Sequence, residues 1–342
     1  MARLNELVRN EGSPQEGGAG SRLQSEPSKA SFKKVDTTAA QVSVERQAQL
    51  VLDADLWHAQ AEMELPPILG AVRSGQTFSL GSVTQVVDGF VNSLAQGDRL
   101  LVQAISGERG GLVVTNLINT AIIAIKIGMG LQYSRPDLMR LGVAAILHDV
   151  GMCPIPEEIL NKPGPLSSEE RTLIKRHPEL GAQAIRGLCP DANWIAEVVI
   201  QEHERVGGQG YPRGLKGEEI HEFAQVIGLA DTFEALLHTR PYRKRFLPHE
   251  AVRELMTKEK TSFSTRTLKC LIQQFSVFPL GTRVRLNTGE SAEVVELNPQ
   301  YPLRPVVKVL KEPHGLSPKE TRTLDLSKSS LVHVTEVVQD DR

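Results

Sequence analysis

The chain has 342 residues, a net charge of −2, 40% hydrophobic and 23% charged residues. That balance excludes a collagen-like chain, a fully disordered chain or a general nucleic-acid binder, and the length allows two or three domains at roughly 100–200 residues each. The three cysteines, Cys153, Cys189 and Cys270, form no Cys-x-x-Cys pair, which points to a reducing compartment without a disulfide framework. No apolar run is expected to approach the roughly 18 residues of a membrane span, since Ala121 to Met129 is short and contains Lys126. With no apolar signal core near its beginning, the chain reads as cytoplasmic.

Residues 1–43 are rich in Gly, Ser, Glu, Gln and Lys and read as a disordered tail, with a short partner-binding segment as the alternative. Residues 44–80 read as a helical lead-in or small regulatory segment, its helix carrying Leu50, Leu52, Leu56, Trp57 and Met63 up to a break at Pro66-Pro67. One longer helix is expected over 82–106, ended by Gly107, Gly110 and Gly111, and an apolar helix over 112–128. The next helix opens at Arg135-Pro136-Asp137, and Leu138, Leu141, Ala145 and His148 share one face of it. An apolar stripe thus runs into an imidazole and the carboxylate of Asp149. A carboxylate buried without a partner costs several kcal/mol, so the doublet is either a satisfied structural pair or part of a metal site.

Two further helices repeat the pattern. Over 194–204, Ile195 and Val199 lead to Glu202 and His203; over 223–238, Ala224, Ile227 and Ala230 lead to Asp231. Between the first two stripes, Ser167 and Glu170 form a capping box that starts a helix ending near His177, and Pro178 suits the start of the next. Imidazoles and carboxylates together suit iron, manganese or zinc, and a shared Asp can bridge two ions. The glycine-rich loop 204–217 is either a phosphate-binding loop or a plain interhelical turn. The basic run His238 to Arg245 is either a solvated surface or a clamp for phosphate oxygens through Arg240 and Arg243. Short helices follow at 251–256 and 268–275. From Pro279 onward the pattern alternates, with a hairpin-type turn at Asn287-Thr288-Gly289, and 280–338 reads as a small antiparallel barrel or meander. The fold class is therefore mainly α with a small C-terminal antiparallel β domain.

These residues, taken in order over roughly 80–280, resemble the HD-GYP proteins, the bacterial branch of the HD metal-dependent phosphohydrolases that cleaves cyclic di-GMP. The carriers are His148-Asp149-Val150-Gly151, Asn161-Lys162-Pro163-Gly164, His177-Pro178 with Gly181, His203-Glu204-Arg205, Gly210-Tyr211-Pro212, Asp231 with Glu234-Ala235-Leu236, and Arg240-Pro241-Tyr242-Arg243. The resemblance implies an HD-type helical bundle over 81–279. It implies His148 and Asp149 as catalytic metal ligands with Asp149 bridging, His177 and His203 on a second metal, and Asp231 on the first. Tyr211 is implied as a wall of the substrate pocket, and Arg240 and Arg243 as phosphate contacts. One or two divalent ions, iron or manganese, are implied, with a metal-bound hydroxide attacking cyclic di-GMP to give pGpG or GMP. Protein partners in cyclic-di-GMP signalling and a homodimer are further expectations; DNA, RNA and a membrane span are not.

The departures from the pattern are specific. Met152 stands where the family has Lys, and Glu202 where it has the first His of a doublet, a swap that keeps a metal ligand. Asn116 aligns with a usual His, Leu112 with a frequent Glu, and Gly207 with an Asp. They support an alternative function, a degenerate module that binds cyclic di-GMP or a protein without useful catalysis.

Overall fold

The computed structural model describes residues 37–106, 112–160, 162, 164–189, 192–238, 245–275, 278, 281–296, 298, 304–313, 316, 318, 322–329 and 331–338. The chain divides into two units, 1–44 and 45–342; of the first, only the opening of a long helix is among the described residues. That helix, α1 (Thr37–Ser74), begins within the stretch expected as a tail and runs through Pro66 and Pro67 instead of ending there. A proline inside a helix forfeits a hydrogen bond and costs about 3 kcal/mol. Both prolines lie on the exposed side, where water can serve the carbonyls they leave without a donor. Ala61, Leu65, Ile68 and Val72 meanwhile continue one buried stripe across them.

The single helix expected over 82–106 is two, α2 (Gly81–Gln96) and α3 (Arg99–Ser106), because Gly97 between them is fully extended (φ 172°, ψ 174°). The glycines expected to end it lie outside the described residues. There follow α4 (Leu112–Gly130), α5 (Arg135–Ile146), α6 (Glu157–Leu160), α7 (Ser168–Ile174), α8 (His177–Leu188), α9 (Asn193–Val199), α10 (Glu222–Leu237), α11 (Pro248–Lys258) and α12 (Thr265–Gln274). The capping box at Ser167 and Glu170 is present in both directions and opens α7.

The helical core is built around α4, against which α3, α5, α10 and α12 pack. Leu117, Ile118, Ile122, Ile123, Ile125 and Ile127 are all fully buried, so this helix is apolar around most of its circumference, as a core helix must be. Over Val113–Gly130 it is long and apolar enough to cross a membrane by length and composition, which corrects the expectation that no run reaches that length; 72% of the window is buried inside the protein. Its one charge, Lys126, pairs with Asp98.

The C-terminal region is a five-stranded antiparallel sheet: β1 (Arg283–Leu286), β2 (Ser291–Glu296), β3 (Val306–Lys311), β4 (Thr323–Asp325) and β5 (Val334–Val337), in the order β4-β3-β2-β1-β5. Val284, Leu286, Ala292, Val294, Val307 and Val309 form its buried face. The β1–β2 turn passes through Gly289 at φ +96°, a conformation that favours glycine.

Candidate metal centre

Four of the six ligand-type residues sit on turns just beyond helices, while His177 opens α8 and Asp231 lies within α10. His148 and Asp149 follow α5, and Glu202 and His203 lie in a turn after α9, which stops at Val199. Glycines let these turns meet. A Cβ at Gly151 would lie 1.9 Å from the His177 carbonyl oxygen and 2.5 Å from the Gly181 nitrogen, so only glycine lets the His148–Asp149 turn rest on the start of α8. Likewise a Cβ at Gly228 of α10 would lie 2.2 Å from the Glu202 carbonyl oxygen. The segment carrying Asp231 is thereby pressed against the turn carrying Glu202.

The structure brings together His148, Asp149, His177, Glu202, His203 and Asp231. His177 Nε2 lies 3.1 Å from Asp149 Oδ1, 3.1 Å from Glu202 Oε1 and 3.0 Å from His203 Nε2. His203 Nε2 is 3.3 Å from the same Glu202 oxygen. Ligand atoms of Asp149, His177, Glu202 and His203 all fall within 4.8 Å of one another. His148 Nε2 faces Asp149 Oδ2 at 3.7 Å, Asp231 Oδ1 at 3.8 Å and Glu202 Oε2 at 3.9 Å.

The second ring nitrogens fix the tautomers. His148 Nδ1 donates to the Ala145 carbonyl at 2.7 Å, and His177 Nδ1 to the Ile174 carbonyl at 2.7 Å. A carbonyl only accepts, so each Nδ1 carries a proton and each Nε2 is aimed at the carboxylates, where a metal would take its lone pair, as in a metal-ligating histidine. His148 Nε2, Asp149 Oδ1 and Glu202 Oε2 are buried and without a hydrogen-bond partner. Three such atoms converging at one place are costly unless a cation sits among them, so these residues fit a metal.

The electrostatics are those of a cation site filled with protons. Burial opposes charge on His177, yet the adjoining Asp149 and Glu202 carboxylates outweigh it and push its pKa up to about 10. His148 moves the same way: burial is overcome by Glu202, Asp149 and Asp231. For Asp149 burial is overcome by His148 and His177, and for Asp231 by His148, so both carboxyls lie below their ordinary range. His203 is held low, chiefly by burial.

Around this centre the structure sorts the remaining expectations. Tyr211 stacks on His203, ring centroids 4.7 Å apart, and burial raises its hydroxyl pKa. Lys175 holds its Nζ 5.3 Å from the Tyr211 ring. Arg240 and Arg243 lie outside the described residues. Asn116 Nδ2 donates to Asp231 Oδ1 at 3.1 Å and to Glu234 Oε2 at 2.8 Å, so its amide orients a carboxylate.

Two acidic residues were not singled out by sequence reasoning for a site role. Glu234, 2% exposed, is held by Asn116, Asn119 and His238. Glu204, 3% exposed, accepts from the backbone nitrogens of Arg213, Gly214 and Leu215 at 2.6, 3.0 and 2.9 Å. Of the two readings of this loop, the amides of Arg213, Gly214 and Leu215 are spent on a carboxylate of the chain itself rather than left for a phosphate, just after the Gly-Tyr-Pro turn. The signal for Glu204 was an acidic residue directly after two metal-type side chains and before a glycine-rich loop.

Residues 101–265 match the family model described as HD domain, and residues 283–342 match one described as KOW domain associated with HD domain. A cyclic di-GMP phosphodiesterase of Pseudomonas aeruginosa is 28% identical over 82% of this chain and 69% of its own length. The cyclic di-GMP phosphodiesterase response regulator RpfG of Xanthomonas campestris pv. campestris is 33% identical over 44% of this chain and 39% of its own length. Among solved structures, an HDG"Y"P protein from Bdellovibrio bacteriovorus shares the fold with a TM-score of 0.54 and 18% identity, covering 64% of this chain and 70% of that one.

Proposed function

From the match of residues 101–265 to the HD domain, we propose that the chain is a metal-dependent phosphodiesterase of the HD-GYP branch acting on cyclic di-GMP. The observation that carries this reading is the convergence of three buried, unpartnered donor atoms, His148 Nε2, Asp149 Oδ1 and Glu202 Oε2. His148, Asp149, His177, Glu202, His203 and Asp231 would hold the cation or cations, and iron or manganese suits such a mixture of imidazole and carboxylate. When bound, divalent ions there supply Lewis acidity toward phosphodiester oxygens and a water acidic enough to attack near neutral pH.

The chain's own residues do the positioning. The carbonyls of Ala145 and Ile174 hold His148 and His177 in the tautomer that presents Nε2. Tyr211, packed on His203, walls the pocket, and Glu204 fixes the loop that carries it. Met152 can neither donate a proton nor bind a phosphate, whereas Lys175, over the Tyr211 ring, is a cation suited to a substrate phosphate. By resemblance, Arg240 and Arg243 meet phosphates as well. Residues 81–279 form the catalytic unit in this reading, and 280–338 an appendage without ligands.

The test is product formation from cyclic di-GMP by protein purified anaerobically and loaded with iron or manganese, beside the Asp149→Ala variant. Release of pGpG or GMP that vanishes in the variant is expected. Folded, metal-loaded protein that binds cyclic di-GMP without turning it over would replace this reading with a sensor module.

A further inference from the structure

Glu202 is fully buried, and its two oxygens face different neighbours. Oε1 lies with His177 Nε2 (3.1 Å) and His203 Nε2 (3.3 Å), and Oε2 with His148 Nε2 (3.9 Å). Asp149 divides the same way, Oδ1 toward His177 at 3.1 Å and Oδ2 toward His148 at 3.7 Å. Donors held about 2.0–2.2 Å from one ion lie roughly 3–4 Å from each other. The distances from His177 to its neighbours and from His148 to its neighbours meet that spacing, and both carboxylates belong to both groups.

Building on the metal-dependent reading above, we infer that Glu202 is a second bridging carboxylate: with Asp149 it links two divalent cations, giving one oxygen to each. One pocket consists of His177, His203, Asp149 Oδ1 and Glu202 Oε1; the other of His148, Asp231 Oδ1, Asp149 Oδ2 and Glu202 Oε2. A single ion in the first pocket satisfies only Asp149 Oδ1 among the unpartnered atoms and leaves His148 Nε2 and Glu202 Oε2 bare. No lysine or arginine pairs with the Glu202 carboxylate among the described residues, and the neighbouring Arg205 donates to the Glu202 and Glu204 carbonyls instead.

The same assignment accounts for Asn116. Carboxylates lie on the NH₂ side of its amide, and the Asp231 oxygen it holds is the one that faces His148. Asn116 therefore positions a ligand of the second pocket without being one. The donor that α4 does not supply is supplied by the turn after α9, through an oxygen that a histidine at position 202 would lack.

Titration of the metal-free protein with Mn(II) tests this, with ions counted by mass spectrometry and their magnetic interaction read by electron paramagnetic resonance. Two ions per chain with an exchange-coupled spectrum are expected. Glu202→Gln keeps the side-chain volume and one oxygen; it should take the second ion at least roughly ten-fold more weakly and show the spectrum of an isolated ion at one equivalent. Glu202→His, with a single inward donor, should behave alike. One ion per chain, or two without coupling, in the unaltered protein would overturn the bridge while leaving metal dependence standing, whether or not any variant folds. Unchanged stoichiometry and affinity in both folded variants would overturn it too. Failure to bind Mn(II) at all would overturn the bridge and the metal-dependent reading together.

Discussion

The C-terminal sheet and the turns around His148 handle polar groups in opposite ways. In the sheet, buried valines alternate with charges that stay in water: Arg283 sits across from Glu293, Glu293 across from Lys308, and Arg285 pairs with Glu336. The strands keep the ordinary rule of apolar in, polar out, and Glu290, a buried carboxylate in the β1–β2 turn, is answered by Arg322. In the helical region three carboxylates and three imidazoles converge in the interior, with donor atoms left without partners. Such an arrangement lowers the stability of the metal-free protein, so its presence marks where function overrides folding.

The largest effect expected from that contrast is at Asp149. Asp149→Asn should abolish metal binding and turnover, well beyond the roughly 100-fold loss typical of residues that only support a ligand. It also takes an anion from beside His148 and His177, whose charges hold the Asp149 carboxyl below its ordinary range, so the thermal midpoint of the metal-free protein should fall at neutral pH. Metal binding and turnover that survive the substitution would show that Asp149 is structural and would erase the contrast with the sheet.

Next comes Gly151→Val. Its Cβ would collide with the His177 backbone at 1.9 Å, so the two turns must separate, and a loss of about 3 kcal/mol or more is expected in chemical denaturation, together with metal affinity. In the sheet, Val307→Ala removes fully buried methyl groups, and should cost about 2 kcal/mol while leaving turnover per folded molecule unchanged. A metal-affinity change from Val307→Ala would mean that the sheet reaches the centre.

Most of the helices and the sheet were legible in sequence because periodic burial writes itself into the pattern, as in the stripe Leu138, Leu141, Ala145 leading to His148. The errors have local causes. Pro66 and Pro67 read as a break, since sequence does not reveal that they face water while Leu65 and Ile68 stay buried. The helix expected to reach Glu204 stops at Val199, because the next residues are recruited to a turn by contact with α10 at Gly228, and that contact is distant in sequence. The six ligand-type residues were readable through the motifs. The division of Glu202 between two groups of donors, and the use of Asn116 as a clamp, depend on side-chain direction and were not.

Glu204 offers a finer cut between the two regions. Its carboxylate accepts three backbone N–H groups beneath Tyr211, and Glu204→Gln leaves one oxygen to serve them and places an amide NH₂ against donors. A loss of about 1–3 kcal/mol is expected, with a raised KM for cyclic di-GMP as Tyr211 shifts, and little change in metal content. Loss of metal instead would place Glu204 among the ligands.

The smallest effect should be at Arg285, whose pair with Glu336 is about half exposed on both sides, 47% and 56%. Water screens such a pair, so Arg285→Ala should change stability by less than about 1 kcal/mol and leave turnover and metal content alone. Added salt should narrow even that difference, because an exposed pair is weakened by counterions whereas the buried carboxylates around His148 are not. A loss of several kcal/mol that persists in high salt would mean that the sheet, too, rests on a desolvated charge, and the division of the molecule into a region built for stability and a region built for binding would have to be redrawn.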